Sequence, residues 1–324
     1  MATTTIPYDK GLHRVGDGAW AYLQPDGGWG WSNAGLVTDG DASLLVDTLF
    51  DLRLTADMLA AMRAAVPAAQ RIGTVVNTHA NGDHCYGNAL VATSEIVAST
   101  TSAAEMDEVP PALLAAFVAA GPELGDAGAF LQRIFGPFTF EGIEHVPPTR
   151  TFDGELELRV GDKAVRLIEV GPAHTRGDVV AHVPADGVLF TGDILFHGGH
   201  PIVWAGPVAN WVTACDRLLA LDDVVTVVPG HGPVTDIGAI AELRGYFELL
   251  TAEARRCYEA GMPVLEAARS VDLGPYAGLG EAERLGVNVA MLYRDFGSDE
   301  PTDVITLFGH MAALAQPRDD HPPR

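Results

Sequence analysis

Four short apolar runs in this chain end on side chains that bind metals, and that pattern limits the folds open to it. TVVNT leads to His79, Asp83 and His84, RLIEVGPA to His174, VLFTG to Asp193, and TVVPG to His231. Brief runs rich in valine, isoleucine and leucine, bounded by glycine or proline, read as buried strands. In α/β proteins ligands gather at the carboxyl ends of strands, where loops bring side chains together over a rigid sheet. Gly171, Pro172, Gly192, Pro229 and Gly230 supply the tight turns such loops need. A single histidine such as His13, His182 or His310 is ordinarily a surface or core residue. Six ligating side chains at the ends of four apolar runs are harder to assign to packing. Buried without partners, that many polar groups would cost several kcal/mol. Imidazole nitrogens and carboxylate oxygens together suit zinc and comparable transition metals.

The surrounding sequence is organised to match. Residues 17 to 50 read as a β-meander, with AWAYLQ, SNAGLVT and SLLVDTLF separated by PDGG and DGDA turns. Asp51 is placed to cap a helix reaching about Val66, with Leu54, Met58, Leu59 and Met62 along one face. Residues 101 to 145 form an Ala-rich helical insertion broken by Pro110, Pro111 and Pro122 and carrying five phenylalanines. Strands resume through 155 to 193, a helix starts near Asn210, and one more strand reaches His231. From about 236 the pattern is helical. The expected layout is an α/β domain over 1 to 235, a C-terminal helical extension over 236 to 316, and a disordered tail over 317 to 324.

Charge narrows the partners. The net charge is −23, with two lysines against eighteen arginines. Nucleic-acid affinity rests on clustered positive charge, so a nucleic-acid partner is not expected, and neither is an anionic membrane surface. No run reaches the roughly 18 to 20 apolar residues of a membrane helix, and the first residues show no signal-peptide pattern. Cys85, Cys215 and Cys257 are scattered and lack a CxxC spacing. A reduced, cytoplasmic protein is the expectation; a homo-oligomer is compatible with it.

With its HANGDH cluster and distal His, Asp and His, the chain resembles the metallo-β-lactamase superfamily, whose signature is HxHxDH. The resemblance covers about residues 15 to 235 and implies an αβ/βα sandwich with metals at one edge between the sheets. It implies a first site of His79, the Asn81 position and His174, a second of Asp83, His84 and His231, and Asp193 bridging both. Here the second histidine of the signature is Asn81. An amide oxygen binds zinc more weakly than imidazole does, so one tightly held metal and a labile second are expected. Iron or manganese suit the same donors.

The resemblance further implies attack on an ester, thioester, lactone or amide carbonyl, with Asp83 orienting the nucleophile or handling its proton. Cys85 is read as structural, and no Ser-His or Cys-His nucleophile is apparent. The stretches GGWGWSNAGLV, HTRGD and VPGHGPV are similar to a group that includes second-ring cyclases of aromatic polyketide pathways, some acting as thioesterases on carrier-bound chains. That likeness implies a small, apolar or aromatic substrate, with Trp29, Trp31, His197 and His200 as candidates for its pocket. A general hydrolase similar to glyoxalase II, an iron-dependent oxidoreductase on the same fold, and a binding module without activity remain alternatives.

Overall fold

Alternation along a strand sends every second side chain to the same face of its sheet, and here both faces are apolar. In the computed structural model, which describes residues 6–92 and 94–315, the first sheet holds seven strands in sequence order. They are β1 (Gly11–Arg14), β2 (Ala19–Leu23), β3 (Ala34–Asp39), β4 (Ala42–Val46), β5 (Thr74–Val76), β6 (Glu95–Ser99) and β7 (Arg150–Phe152). Pairing is antiparallel through β4 and parallel from there to β7. The second sheet contains β8 (Glu155–Val160), β9 (Lys163–Glu169), β10 (Val179–Val183), β11 (Val188–Phe196) and β12 (Thr226–His231). Its one parallel pair is β11 with β12.

The two sheets meet through one parity of residue. Ala21, Leu23, Val37, Leu44, Val46, Val76 and Val97 share an apolar layer with Val165, Leu167, Ala181, Val183, Phe190 and Val228. The opposite parity, including Leu36, Leu45, Val75 and Ile96 on one sheet and Ile168, Val180 and Leu189 on the other, belongs to a second layer shared with the helices. The result is the αβ/βα sandwich expected from the resemblance.

Helix α1 (Leu52–Ala65) covers the first sheet. Asp51 caps it as the sequence indicates, accepting from Leu54 N at 2.7 Å, and Leu54, Met58, Leu59 and Met62 are buried beneath it. A single turn, α2 (Gly82–Cys85), follows β5. The segment between β6 and β7 folds as α3 (Thr100–Glu105), α4 (Pro111–Ala120) and α5 (Gly125–Phe135). After β11 come α6 (Val208–Leu219), α7 (Gly238–Glu259), α8 (Val264–Ser270), α9 (Leu285–Asp295) and α10 (Val304–Ala315). Trp211 of α6 is fully buried with its ring 4.8 Å from Phe247 of α7. α10 packs against α5, joining two segments far apart in sequence. The tail expected over 317 to 324 lies outside the described residues.

Two expectations need correcting. By length and composition, the helical stretch 111–135 is apolar enough to cross a membrane, although the sequence offered no such run. A 3₁₀ turn at Gly121–Leu124 splits it, and its two helices pack on each other. The strand VLFTG does not end before Asp193 either. β11 continues to Phe196, and its register on β12 shifts at Gly192, which adopts φ +50°. The bulge redirects the chain so that Asp193 reaches the site from within a strand.

Sheet-to-sheet packing leaves no room at Gly35 of β3, where an added Cβ would lie well inside van der Waals contact with the buried Phe190 ring of β11. Gly35→Ala is expected to cost about 1–3 kcal/mol through overpacking. Adding Phe190→Leu should recover part of that loss, which denaturant unfolding of the single and double variants will read as non-additivity.

Candidate metal centre

Each histidine of the cluster has one ring nitrogen occupied by an orienting partner, so the other is aimed inward. His84 Nδ1 lies 2.9 Å from Asp47 Oδ2, His174 Nδ1 is 2.7 Å from the Ile202 carbonyl, and His231 Nδ1 is 3.1 Å from the Gly27 carbonyl. His79 Nδ1 sits 3.0 Å from Thr78 Oγ1, which itself donates to Asp47 Oδ2 at 2.7 Å. With every Nδ1 engaged as a donor, the Nε2 lone pairs face a common point, as metal-binding imidazoles require.

Around that point His84 Nε2 is 3.0 Å from Asp193 Oδ1, while His174 and His231 Nε2 each lie 3.4 Å from Asp193 Oδ2. His79 Nε2 is 3.7 Å from Asp193 Oδ2, and His231 Nε2 is 3.3 Å from Asp83 Oδ2. Two sets, His79 with His84 and Asp193, and Asp83 with His84 and His231, each bring their donor atoms within 4.8 Å of one another. All six sequence candidates therefore converge.

The donors fit a cation better than they fit each other. Among the described residues, His79 Nε2, His84 Nε2 and Asp193 Oδ1 are buried without a hydrogen-bond partner, although 3.0 Å separates the last two. Short distance without hydrogen-bond direction is what a shared ion produces. Charge points the same way. Burial pushes the His79 and His174 rings below their ordinary range. For His84 and His231 burial acts in the same sense, but Asp193 and Asp83 outweigh it; His84 rises well above its ordinary value and His231 to about 9. Burial likewise opposes ionisation of Asp193, yet His231, His84 and His79 hold its carboxyl well below the usual range. The buried carboxylates thus require positive charge among them, which a divalent ion supplies directly.

Asn81 precedes α2, and its Nδ2 donates to His174 Nε2 across 3.0 Å. Since His174 Nδ1 donates to Ile202, Nε2 carries the lone pair that a first-site metal would need. Asn81 therefore reaches the expected position but engages the neighbouring ligand.

Sequence reasoning missed Asp47. It follows β4 at φ +63°, a conformation Asp tolerates better than most residues. There its carboxylate accepts from Thr78 N and Thr78 Oγ1 at 2.7 Å as well as facing His84. The signal available was a lone aspartate closing the run SLLVD. Among the pocket candidates, Trp29 lines the cleft beside the cluster. Trp31 instead packs on Phe138, with ring centroids 4.8 Å apart. His197 and His200 do not line the cleft. Gly198 at φ +90° turns their loop toward the C-terminal segment, where Gly199 bridges Gly280 and His200 Nδ1 meets Tyr246 Oη at 2.9 Å. Cys85 is buried, its Sγ 3.5 Å from the Ala80 carbonyl, in keeping with a structural role.

Asp47→Ala is expected to weaken metal binding by about 10–100-fold, the usual effect of losing an orienting partner, measured by competition with a chromogenic chelator. Elemental analysis tests Asn81: about one metal per chain in the parent, rising toward about two in Asn81→His, is expected for a four-donor preference.

A family model described as "Metallo-beta-lactamase superfamily" matches residues 27–231. An uncharacterized protein of Mycobacterium leprae is 34% identical over 136 residues, covering 41% of this chain and 61% of the relative; this chain thus spans about three fifths of that protein. The acyl-coenzyme A thioesterase MBLAC2 of Homo sapiens is 27% identical over 215 residues, 62% of this chain and 72% of the relative. Among solved structures, the sec-alkylsulfatase Pisa1 from Pseudomonas sp. superposes with a TM-score of 0.67 at 17% identity, covering 90% of this chain and 51% of the sulfatase; it shares the fold. With the matched span reaching from the Trp29 loop to His231, this chain belongs to the metallo-beta-lactamase superfamily.

Proposed function

We propose that this chain is a metal-dependent hydrolase, zinc being the first candidate metal, that cleaves a thioester or ester of an apolar acyl group. One observation carries the proposal: a cleft of about 980 Å³ that includes Asp83, His174, Asp193 and His231 and is otherwise lined mainly by apolar side chains. Val109, Leu113, Leu114 and Phe117, with Leu131 and Phe135 of α5, form the insertion side, and Ile305, Leu307 and Phe308 of α10 face them. Trp204 stacks on Phe308 at 5.9 Å. Such walls receive an aliphatic or aromatic acyl group and displace water from it.

His79, His84, His174 and His231, with Asp83 and Asp193, would hold the metal, which supplies Lewis acidity to polarise a carbonyl and acidify water. Asp83 lines the cleft floor beside His231 and is placed to take a proton from attacking water and return it to the leaving sulfur or oxygen. Phe196 stacks on His231 with centroids 5.1 Å apart and 7° between planes, which fixes that ring at the cleft edge. The likeness to a human acyl-coenzyme A thioesterase favours hydrolysis over ring closure of a polyketide, the other outcome that the sequence motifs imply. Three buried free cysteines support the reading of a reducing compartment such as the cytoplasm.

Metal removal with a chelator is expected to abolish hydrolysis of an octanoyl thioester, and added zinc to restore it. In Leu114→Trp, which narrows the cleft, kcat/KM for a decanoyl thioester should fall by at least about tenfold, while that for an acetyl thioester stays near the parent value. Equal effects on both chain lengths would move the acyl group out of this cleft.

A further inference from the structure

The C-terminal extension brings one buried cation to the cleft. Arg284, in the turn before α9, is only 2% exposed and lines the cleft wall. Its Nη1 donates to the His200 carbonyl at 2.7 Å, and its guanidinium stands 4.4 Å from the Trp29 ring centroid and 4.8 Å from that of Phe196. Phe196 in turn is stacked on His231, so the cation sits one ring away from the metal cluster. Nε has no hydrogen-bond partner among the described residues.

Other cations of the chain are matched differently. Lys163 pairs with Asp186 at 2.8 Å, and Arg176 is held by Glu105 and Glu108. The acids nearest Arg284 are otherwise occupied or displaced. Glu283 accepts from Trp29 Nε1 at 2.9 Å, and Glu281, which shares the surroundings of Gly199 with Arg284, forms no ion pair with it within 4.0 Å among the described residues. A guanidinium presents five donors in a fixed fork that matches an oxyanion, and burying it without one is costly. Its carbonyl contact and aromatic faces offset part of that cost and leave the fork incomplete.

We propose that Arg284 is a specificity-determining residue that receives an oxyanion of the substrate, such as a carboxylate, carried close to the scissile bond on the leaving-group side. The acyl side suits the anion less well, because the insertion and α10 wall the cleft there mainly with apolar side chains, Arg176 is already held by Glu105 and Glu108, and Arg294 is partly exposed and bonded to the Ala205 carbonyl. The substrate class is therefore an anionic amphiphile, with the tail under α4 and α5 and the charge between Trp29 and Phe196. This assignment rests on the acyl-hydrolase reading above.

A ligand that cannot be cleaved separates the two. (Octylthio)acetate, a thioether carboxylate, and the neutral alcohol 2-(octylthio)ethanol, neither of which has an acyl bond to cleave, are titrated into the metal-loaded enzyme by calorimetry. The acid is expected to bind at least about tenfold more tightly than the alcohol, since a charge-assisted fork contact is worth that much. Arg284→Met should erase the preference by lowering the affinity for the acid. Arg284→Lys keeps the charge without the fork and should retain a reduced preference. Equal binding of acid and alcohol by the parent overturns the proposal. So does a preference that survives in Arg284→Met, which would assign the anion to the metal instead. If Arg284→Met fails to fold, an undiminished preference in Arg284→Lys overturns it as well. None of these outcomes touches the octanoyl thioester assay, which stands or falls separately.

Discussion

Asp83 and Asp193 lie buried among four imidazoles, and the positive charge this demands governs the rest of the structure. Carboxylates in that position destabilise a fold unless something cationic is held beside them. The histidines answer in part, His84 and His231 being driven toward their charged forms while burial keeps His79 and His174 neutral. A metal would answer the demand more completely, because it could use the inward-facing atoms that find no partner among the described residues. Asp47 keeps this arrangement aligned. Through Thr78 and His84 it ties the loop after β5 to the end of β4, so two neighbouring strands fix the ring planes together.

Rigidity behind the cluster comes from the sandwich. The layer of Val, Leu and Ala side chains between the sheets sets the spacing from which β5, β11 and β12 deliver their ligands. The bulge at Gly192 is a departure from regular pairing that the site uses, since it aims Asp193 into the cluster from within a strand. The cleft is assembled differently. One wall comes from helices inserted between β6 and β7 and the other from α10, and neither segment contributes a ligand. The candidate ligands and the cleft walls are therefore carried by separate parts of the chain, a division that lets one fold serve many functions.

The candidate ligands, which the structure brings together, could be named in advance because metal chemistry restricts them to few residue types and the strand ends restrict their positions. His79, Asp83, His84, His174, Asp193 and His231 needed no knowledge of packing beyond short apolar runs that stop at a turn. The cap at Asp51 and the apolar face of α1 were legible for a similar reason, since both follow from contacts three or four residues apart. Trp31, His197 and His200 were not. Their side chains are directed by turns at glycines of positive φ, and by partners such as Phe138, Tyr246 and Gly280 that lie far along the chain.

Asp47 and Arg284 show the same limit from the other side. An aspartate closing a strand and an arginine in an acidic helical extension carry no local sign of function; one becomes an anchor and the other a buried cation only when distant segments close around them. Sequence alone determined the candidate donor set, the strand and helix periodicities and the charge balance, because these depend on residue type and on neighbours within a few positions. Tertiary structure decided which polar groups lose their water, which walls face the cleft and which cation stands beside the metal cluster. Desolvation and long-range contact depend on the packing of the whole chain.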